Sequence, residues 1–337
     1  MRIIKPSAEI LRHDGLTPYQ FIEKVARTCY KSEEYITETS AVKMVGSLTR
    51  SRHYAMLEHH TIYLSLSNRV MQSFLNDMVN EEVPLSFFNV TFIGDINILS
   101  GSFRSFLDLF SQLDSMSECV KHSFSPITVI AKNLLVAYPL IFENISEIED
   151  LDYDETFFGE GECILLERDE FIEKYGQYSS IISKHLTHTV KFICDRGVSH
   201  EFVRHRVASF AQESTRYCNY SKDKHGNEIT VIEPCFWSTL KNIESYNMWS
   251  SQCLLAEECY FNLLSKGATP QEARSVLPNS LKTELIITAT EDEWQHIINL
   301  RYLGTTGAPH PQIKEVMGLV VVDLAKECGG RISYEAD

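Results

Sequence analysis

Strand-like and helix-like stretches alternate along the whole chain, and twice they follow one layout. NVTFIGDINIL (Asn89–Leu99) and HTVKFICD (His188–Asp195) are rich in β-branched and aromatic residues, the composition of a strand. Each is followed by small residues and then by a helix-like run carrying arginine, SGSFRSFLDLF (Ser100–Phe110) and GVSHEFVRHRVASF (Gly197–Phe210). A third strand is expected at HTIYLSLS (His60–Ser67). Helix starts are marked by capping boxes, in which a threonine and an acid or amide three residues on satisfy each other's backbone N–H groups. Thr17 with Gln20, Thr269 with Glu272 and Thr290 with Glu293 have this spacing, and Pro18 and Pro270 occupy the first helical positions. Pro278 ends the second of these helices. The alternation predicts an α/β (α+β) fold. Residues from about 105 to 180 read as an acidic, mostly helical insertion, with a solvated acidic loop at 143–162.

The chain has 337 residues and a formal charge of −15. That balance disfavours general binding to nucleic acid or to anionic membranes, which needs a broad basic face. No run approaches 18 apolar residues, so no membrane span is expected. The N-terminus lacks the apolar core and cleavage site of a signal peptide, and a cytoplasmic protein is expected. Nine scattered cysteines without a CxxC pair fit reduced thiols rather than a disulfide framework or a cysteine zinc site.

Against this acidic background, RHRVASFAQESTRY (Arg204–Tyr217) gathers Arg204, His205, Arg206 and Arg216 with only Glu213 to offset them. Screening over about 8 Å lets such a cluster act against the global charge. On a continuous helix Glu201, Arg204 and His205 would share one face. Arginines interleaved with Gln212, Ser214 and Thr215 suit a phosphorylated ligand with a polar ring. The alternative is a salt-bridged surface helix. HEFVRH resembles a zinc motif, but His200 and His205 lie five apart and would diverge by about 140° on a helix, so no metal is expected. LEHH (Leu57–His60) lacks a partner motif. Cys235, in EPCFW, has nothing nearby to lower its pKa, and Glu233 would raise it. In the third helix Trp294, Ile297, Ile298 and Arg301 form one stripe closed by a cation, which needs a partner or a ligand. Arg274 raises the same question one turn into the preceding helix.

Arg204-His205-Arg206, seven residues and then Ser214-Thr215-Arg216-Tyr217 resemble the signature of the flavin-dependent thymidylate synthases, the ThyX family. ARTCY (Ala26–Tyr30), HYAMLEH (His53–His59), ARSVLP (Ala273–Pro278) and EWQHIINLR (Glu293–Arg301) match other family segments in order. The matches cover about 1–65 and 182–325, leaving an insertion at about 66–181 in a single catalytic domain spanning 1–337. The resemblance implies a mixed sheet flanked by helices and a homotetramer with active sites between subunits. It implies conversion of dUMP to dTMP, with methylenetetrahydrofolate as carbon donor and NADPH as reductant through FAD. It assigns dUMP to Glu201, Arg204, Gln212, Ser214, Thr215, Arg216, Arg274 and Arg301. It assigns FAD to His53, Arg204, His205, Arg206, Gln212, Thr290 and His296. Arg301 matches the arginine that stabilises an ionised uracil ring, and no cysteine nucleophile is required.

The chain departs from the family pattern at several of these positions. Glu201 stands where a glutamine is frequent, Thr290 where an asparagine lies near the flavin, and Lys314 where an arginine is common. Ala55 replaces a flavin-contacting residue, Ala211 an asparagine, and Asp292 a basic or neutral residue. Two further readings stay open: a noncatalytic nucleotide- or RNA-binding protein on this fold, and a flavoprotein acting on another pyrimidine nucleotide.

Overall fold

The computed structural model describes residues 1–112, 116, 125–143, 161–216, 218–222 and 226–335. Most of the acidic stretch at 143–162, together with Cys119 and Tyr217, lies outside the described residues. The chain divides into two units. Residues 1–14, 24–35 and 188–337 form the first, and residues 15–23 and 36–187 the second. The segment read as an insertion falls inside the second unit.

In chain order the strands are β1 (Arg2–Ile4), β2 (Ser7–Leu11), β3 (Thr61–Leu66), β4 (Phe88–Ile93), β5 (Ile96–Ser102), β6 (Cys163–Leu166), β7 (Thr187–Asp195), β8 (Ser209–Gln212), β9 (Thr230–Ile232) and β10 (Lys282–Thr290). The first unit carries a four-stranded sheet in the order β2-β7-β10-β8, with β2/β7 and β8/β10 antiparallel, and a parallel pair β1-β9. Its helices pack on the sheet through a buried cluster that includes Val190, Phe192, Phe202, Trp294, Ile297, Ile298 and Met317. Burying each such side chain stabilises the fold by about 1.5–3 kcal/mol, enough to fix the helix that carries Trp294. The second unit holds an antiparallel sheet β4-β5-β3-β6. The α+β expectation is met. Among the described residues no helix is long and apolar enough to cross a membrane.

Four local expectations need correction or extension. NVTFIGDINIL is a hairpin rather than one strand, because Gly94 takes φ +59° and lets β4 turn back into β5. The Thr17–Gln20 box closes in both directions, at 2.9 and 3.3 Å, as does the Thr269–Glu272 box. The third box is half formed. Thr290 accepts from the Glu293 N–H at 3.3 Å, but the Glu293 carboxylate turns to His205 instead. Finally, the helix begun at Arg196 stops at Phe202, so Glu201, Arg204 and His205 do not share a continuous helical face. Asp195 caps its start by accepting from Val198 N at 2.8 Å. Its end carries no glycine or proline signal. His205 is drawn inward, and residues 209–212 are captured as β8 by pairing with β10.

Candidate active site

Arg301 is the centre of the densest arrangement of expected site residues. It lies in a π-helical turn, Asn299–Leu303, that continues the Glu291–Ile298 helix. Such turns displace the following side chains from α-helical phase and recur at functional sites. Gly304 closes the turn at φ +77°, where a Cβ would also meet Pro309 at 2.8 Å. Trp294, Ile297 and Ile298 are fully buried, so the helix is pinned while Arg301 points along its edge. The guanidinium makes three contacts: Nε donates to His205 Nε2 at 3.1 Å, Nη1 to Glu201 Oε2 at 3.2 Å, and Nη2 to the Glu201 carbonyl at 3.1 Å. The partner demanded by the sequence is therefore Glu201, with His205 behind it.

His205 is buried and extends the chain of contacts. Its Nδ1 lies 3.3 Å from Glu293 Oε1, and its ring meets His296 edge-on at 5.5 Å. Because Nε2 accepts from arginine, Nδ1 is the nitrogen that carries a proton, and it faces the Glu293 carboxylate. His205, Glu293 and His296 bring possible ligand atoms within 4.8 Å of one another. Both nitrogens of His205 are engaged, and a guanidinium adjoins it, which disfavours a cation there. His200 is exposed and takes no part in this cluster. A second trio, His188, Glu291 and Cys328, is closed to a metal by Arg331, which donates to both Glu291 oxygens at 2.7 Å.

The other end of the arginine-rich stretch forms a second group. Arg274 Nη1 donates to Thr215 Oγ1 at 3.3 Å, bringing together two expected site residues 59 positions apart. Gln212 Nε2 donates to Ser199 Oγ and Thr283 Oγ1 at 2.9 and 3.2 Å. Its amide nitrogen is thus committed within the protein, and its oxygen remains for a ligand. Ser214 N donates to the Cys29 carbonyl at 3.3 Å, and Ser214 Oγ accepts from Arg216 N at 3.4 Å. Arg204, Arg206, Arg216, Arg274 and His296 are exposed, while Thr290 is half-buried at its cap. His53 belongs to the second unit, where it is exposed and precedes the turn Tyr54–His59.

Sequence reading missed a lysine–glutamate network beside this group. Lys282 Nζ bridges Glu213 Oε2 and Glu284 Oε1 at 2.8 and 2.6 Å, Lys191 meets Glu284 at 2.9 Å, and Lys31 also pairs with Glu284. Burial pushes the Glu284 carboxyl up, but Lys282 and Lys31 outweigh it and bring it down to about 2. With Tyr220, Arg2 and others, Lys31, Glu213, Lys282 and Glu284 line a cavity of about 270 Å³. The available signal was KTE at the start of a β-branched run, since the strand period of two sets Lys282 and Glu284 on one face. Glu233 is not what acts on Cys235, because it pairs with Lys5. Burial and then Glu315 raise that thiol, so it is no nucleophile at neutral pH.

The model of the thymidylate synthase complementing protein family matches residues 150–328. The chain belongs to this family. The thymidylate synthase complementing protein match takes in both groups built around Arg301 and Thr215. The flavin-dependent thymidylate synthase of Pyrococcus furiosus is 31% identical over 153 residues, 45% of this chain and 59% of that protein. That of Sulfurisphaera tokodaii is 32% identical over 152 residues, 44% and 54% of the two chains. The chain thus spans little more than half the length of these relatives. Among solved structures, the UMP/dUMP methylase PolB of Streptomyces cacaoi with 5-Br dUMP aligns over 100% of both chains at 13% identity and a TM-score of 0.41.

Proposed function

We propose that this protein is a flavin-dependent thymidylate synthase that converts dUMP to dTMP in the cytoplasm, with methylenetetrahydrofolate as carbon donor and NADPH as reductant through FAD. In this reading it works as a homotetramer with active sites between subunits, acts on small molecules rather than nucleic acid or membrane, and carries residues 66–181 as an insertion in one catalytic domain. The observation that carries it is the preorganised Arg301, oriented by Glu201 and His205 from a chain segment 100 residues away.

The residues present suit the ligands. Exposed Arg204, Arg206, Arg216 and Arg274 offer charge-assisted donors to phosphate groups. Thr215 accepts from Arg274 and keeps its own hydroxyl proton to donate. Arg204, His205, Arg206, Thr290, His296 and His53 are the residues that would hold FAD, and Gln212 would serve both ligands through its amide oxygen. When bound and reduced by NADPH, FAD supplies the hydride. The protein's own contribution is electrostatic. Arg301 is a fixed cation that lowers the cost of negative charge building on the uracil ring, an effect of about 10²–10³ in rate for one preorganised donor. Glu293, through His205, holds that cation in register. Purified protein supplied with FAD should show flavin absorption that changes on adding dUMP, and should form dTMP from dUMP with NADPH and methylenetetrahydrofolate. Flavin-loaded protein that forms no dTMP with all substrates present would overturn the proposal.

A further inference from the structure

We infer that Lys282 is a positioning residue for the nucleotide: its ammonium holds the Glu213 carboxylate inward and thereby fixes the Ser214–Arg216 segment that receives the phosphorylated ligand. The inference rests on the nucleotide-binding reading above. Gln212 ends β8, and Glu213 carries its ladder one step further by donating its N–H to the Glu284 carbonyl at 2.8 Å. In extended chain two consecutive side chains leave on opposite faces. Gln212 is tied on one face to Ser199 and Thr283. Glu213 is tied on the other to Lys282 Nζ, at 2.8 Å. The chain is thus clamped from both faces immediately before Ser214. Beyond the clamp, Ser214 N donates to the Cys29 carbonyl, and Thr215 Oγ1 accepts from Arg274.

The two carboxylates that Lys282 bridges do not depend on it equally. Glu284 pairs with Lys31 and Lys191 as well, and keeps both if Lys282 is lost. The Glu213 side chain is only 3% exposed, and its ion pair is with Lys282. Without that ammonium a buried carboxylate is stranded, which is far more costly than leaving the pair intact. Turning outward relieves it. That movement displaces Ser214 and Thr215, and it sets a negative charge beside the hydroxyls and arginines that would meet a phosphate. Lys282 acts through Glu213 and needs no contact with the ligand. The cavity that both residues line gives a guanidinium room at position 282. A glutamine at position 213 removes the need for a cation there.

The test titrates dUMP into the full chain in the presence of FAD and reads the dissociation constant by calorimetry, with folding checked by circular dichroism. Lys282→Met should weaken dUMP binding roughly ten- to a hundredfold, as a tethered segment is released into conformations that do not bind. Lys282→Arg, which keeps the cation, should bind close to wild type. The double variant Lys282→Met with Glu213→Gln should recover most of the lost affinity, because no charge is stranded; a merely structural lysine predicts no such rescue. Should Lys282→Met fail to fold, Glu213→Ala removes the same tether while Lys282 keeps Glu284, and it should weaken dUMP roughly tenfold. Wild-type affinity in a folded Lys282→Met or Glu213→Ala protein, or a double variant no better than Lys282→Met, would overturn the inference alone. Failure of dUMP to bind the wild type would overturn the nucleotide reading, and the inference with it.

Discussion

The two units bury polar groups by opposite means. The first places full charges inside and pairs them. Glu291 is completely buried against Arg331 and His188, and Lys282 is held between Glu213 and Glu284. The second has a core crowded with aromatic rings, including Phe74, Phe103, Phe106, Phe110 and Phe142. Its buried His185 is satisfied by neutral hydroxyls, Thr91 at Nε2 and Ser100 at Nδ1, both at 2.8 Å. The ion pairs described there, Arg69–Glu162 and Arg104–Glu58, are partly exposed. Buried ion pairs add little net stability but are costly to break. Their occurrence in the unit that carries Arg301 and Thr215 fits a unit whose polar groups must hold fixed positions, where the other unit needs only to pack.

The largest test of this contrast is Glu291→Ala. Burial raises the Glu291 carboxyl, and the Arg331 and His188 hydrogen bonds outweigh it, leaving the group below its usual range. Removing it strands Arg331 and should cost about 3–5 kcal/mol in denaturant unfolding. A loss under about 1 kcal/mol would break the comparison. His185 gives a smaller effect of a different kind. Burial lowers its pKa from 6.5 to about 3, so the folded ring stays neutral where the unfolded one is protonated. Stability is therefore retained above about pH 6.5 and lost as pH falls, by roughly 2–3 kcal/mol between pH 6.5 and 4.5. Amide exchange within β4 and β5 should report it, and His185→Gln should flatten the dependence. The smallest effect concerns Thr290, whose hydroxyl caps the helix leading to Arg301. Thr290→Ala should cost about 1 kcal/mol in melting experiments, less if Glu293 swings back to the cap.

Local chemistry was legible and long-range pairing was not. The Thr17 and Thr269 boxes and strands β3 and β7 could be read directly, because each is decided within a few residues. The Arg301 stripe predicted a buried helix face and a cation in need of a partner, and both are present. What sequence did not disclose is that the partner would be Glu201, or that Glu293 would leave its cap for His205, 88 positions upstream. Nor did it disclose the stop at Phe202, which tertiary contacts impose without a breaker residue. Arg204 to Arg206 and Gln212 to Arg216 were read as two ends of one ligand-binding stretch. The structure gives each end its own partners, Arg301 and Glu293 for His205, and Arg274 for Thr215.

The account turns on Arg301, and the most direct measurement is the rate of dTMP formation by Arg301→Ala beside wild type, with dUMP, FAD, NADPH and methylenetetrahydrofolate saturating. The variant should fold, as judged by circular dichroism, and lose about 10²–10³ in kcat. A folded Arg301→Ala protein turning over at close to the wild-type rate would contradict the account.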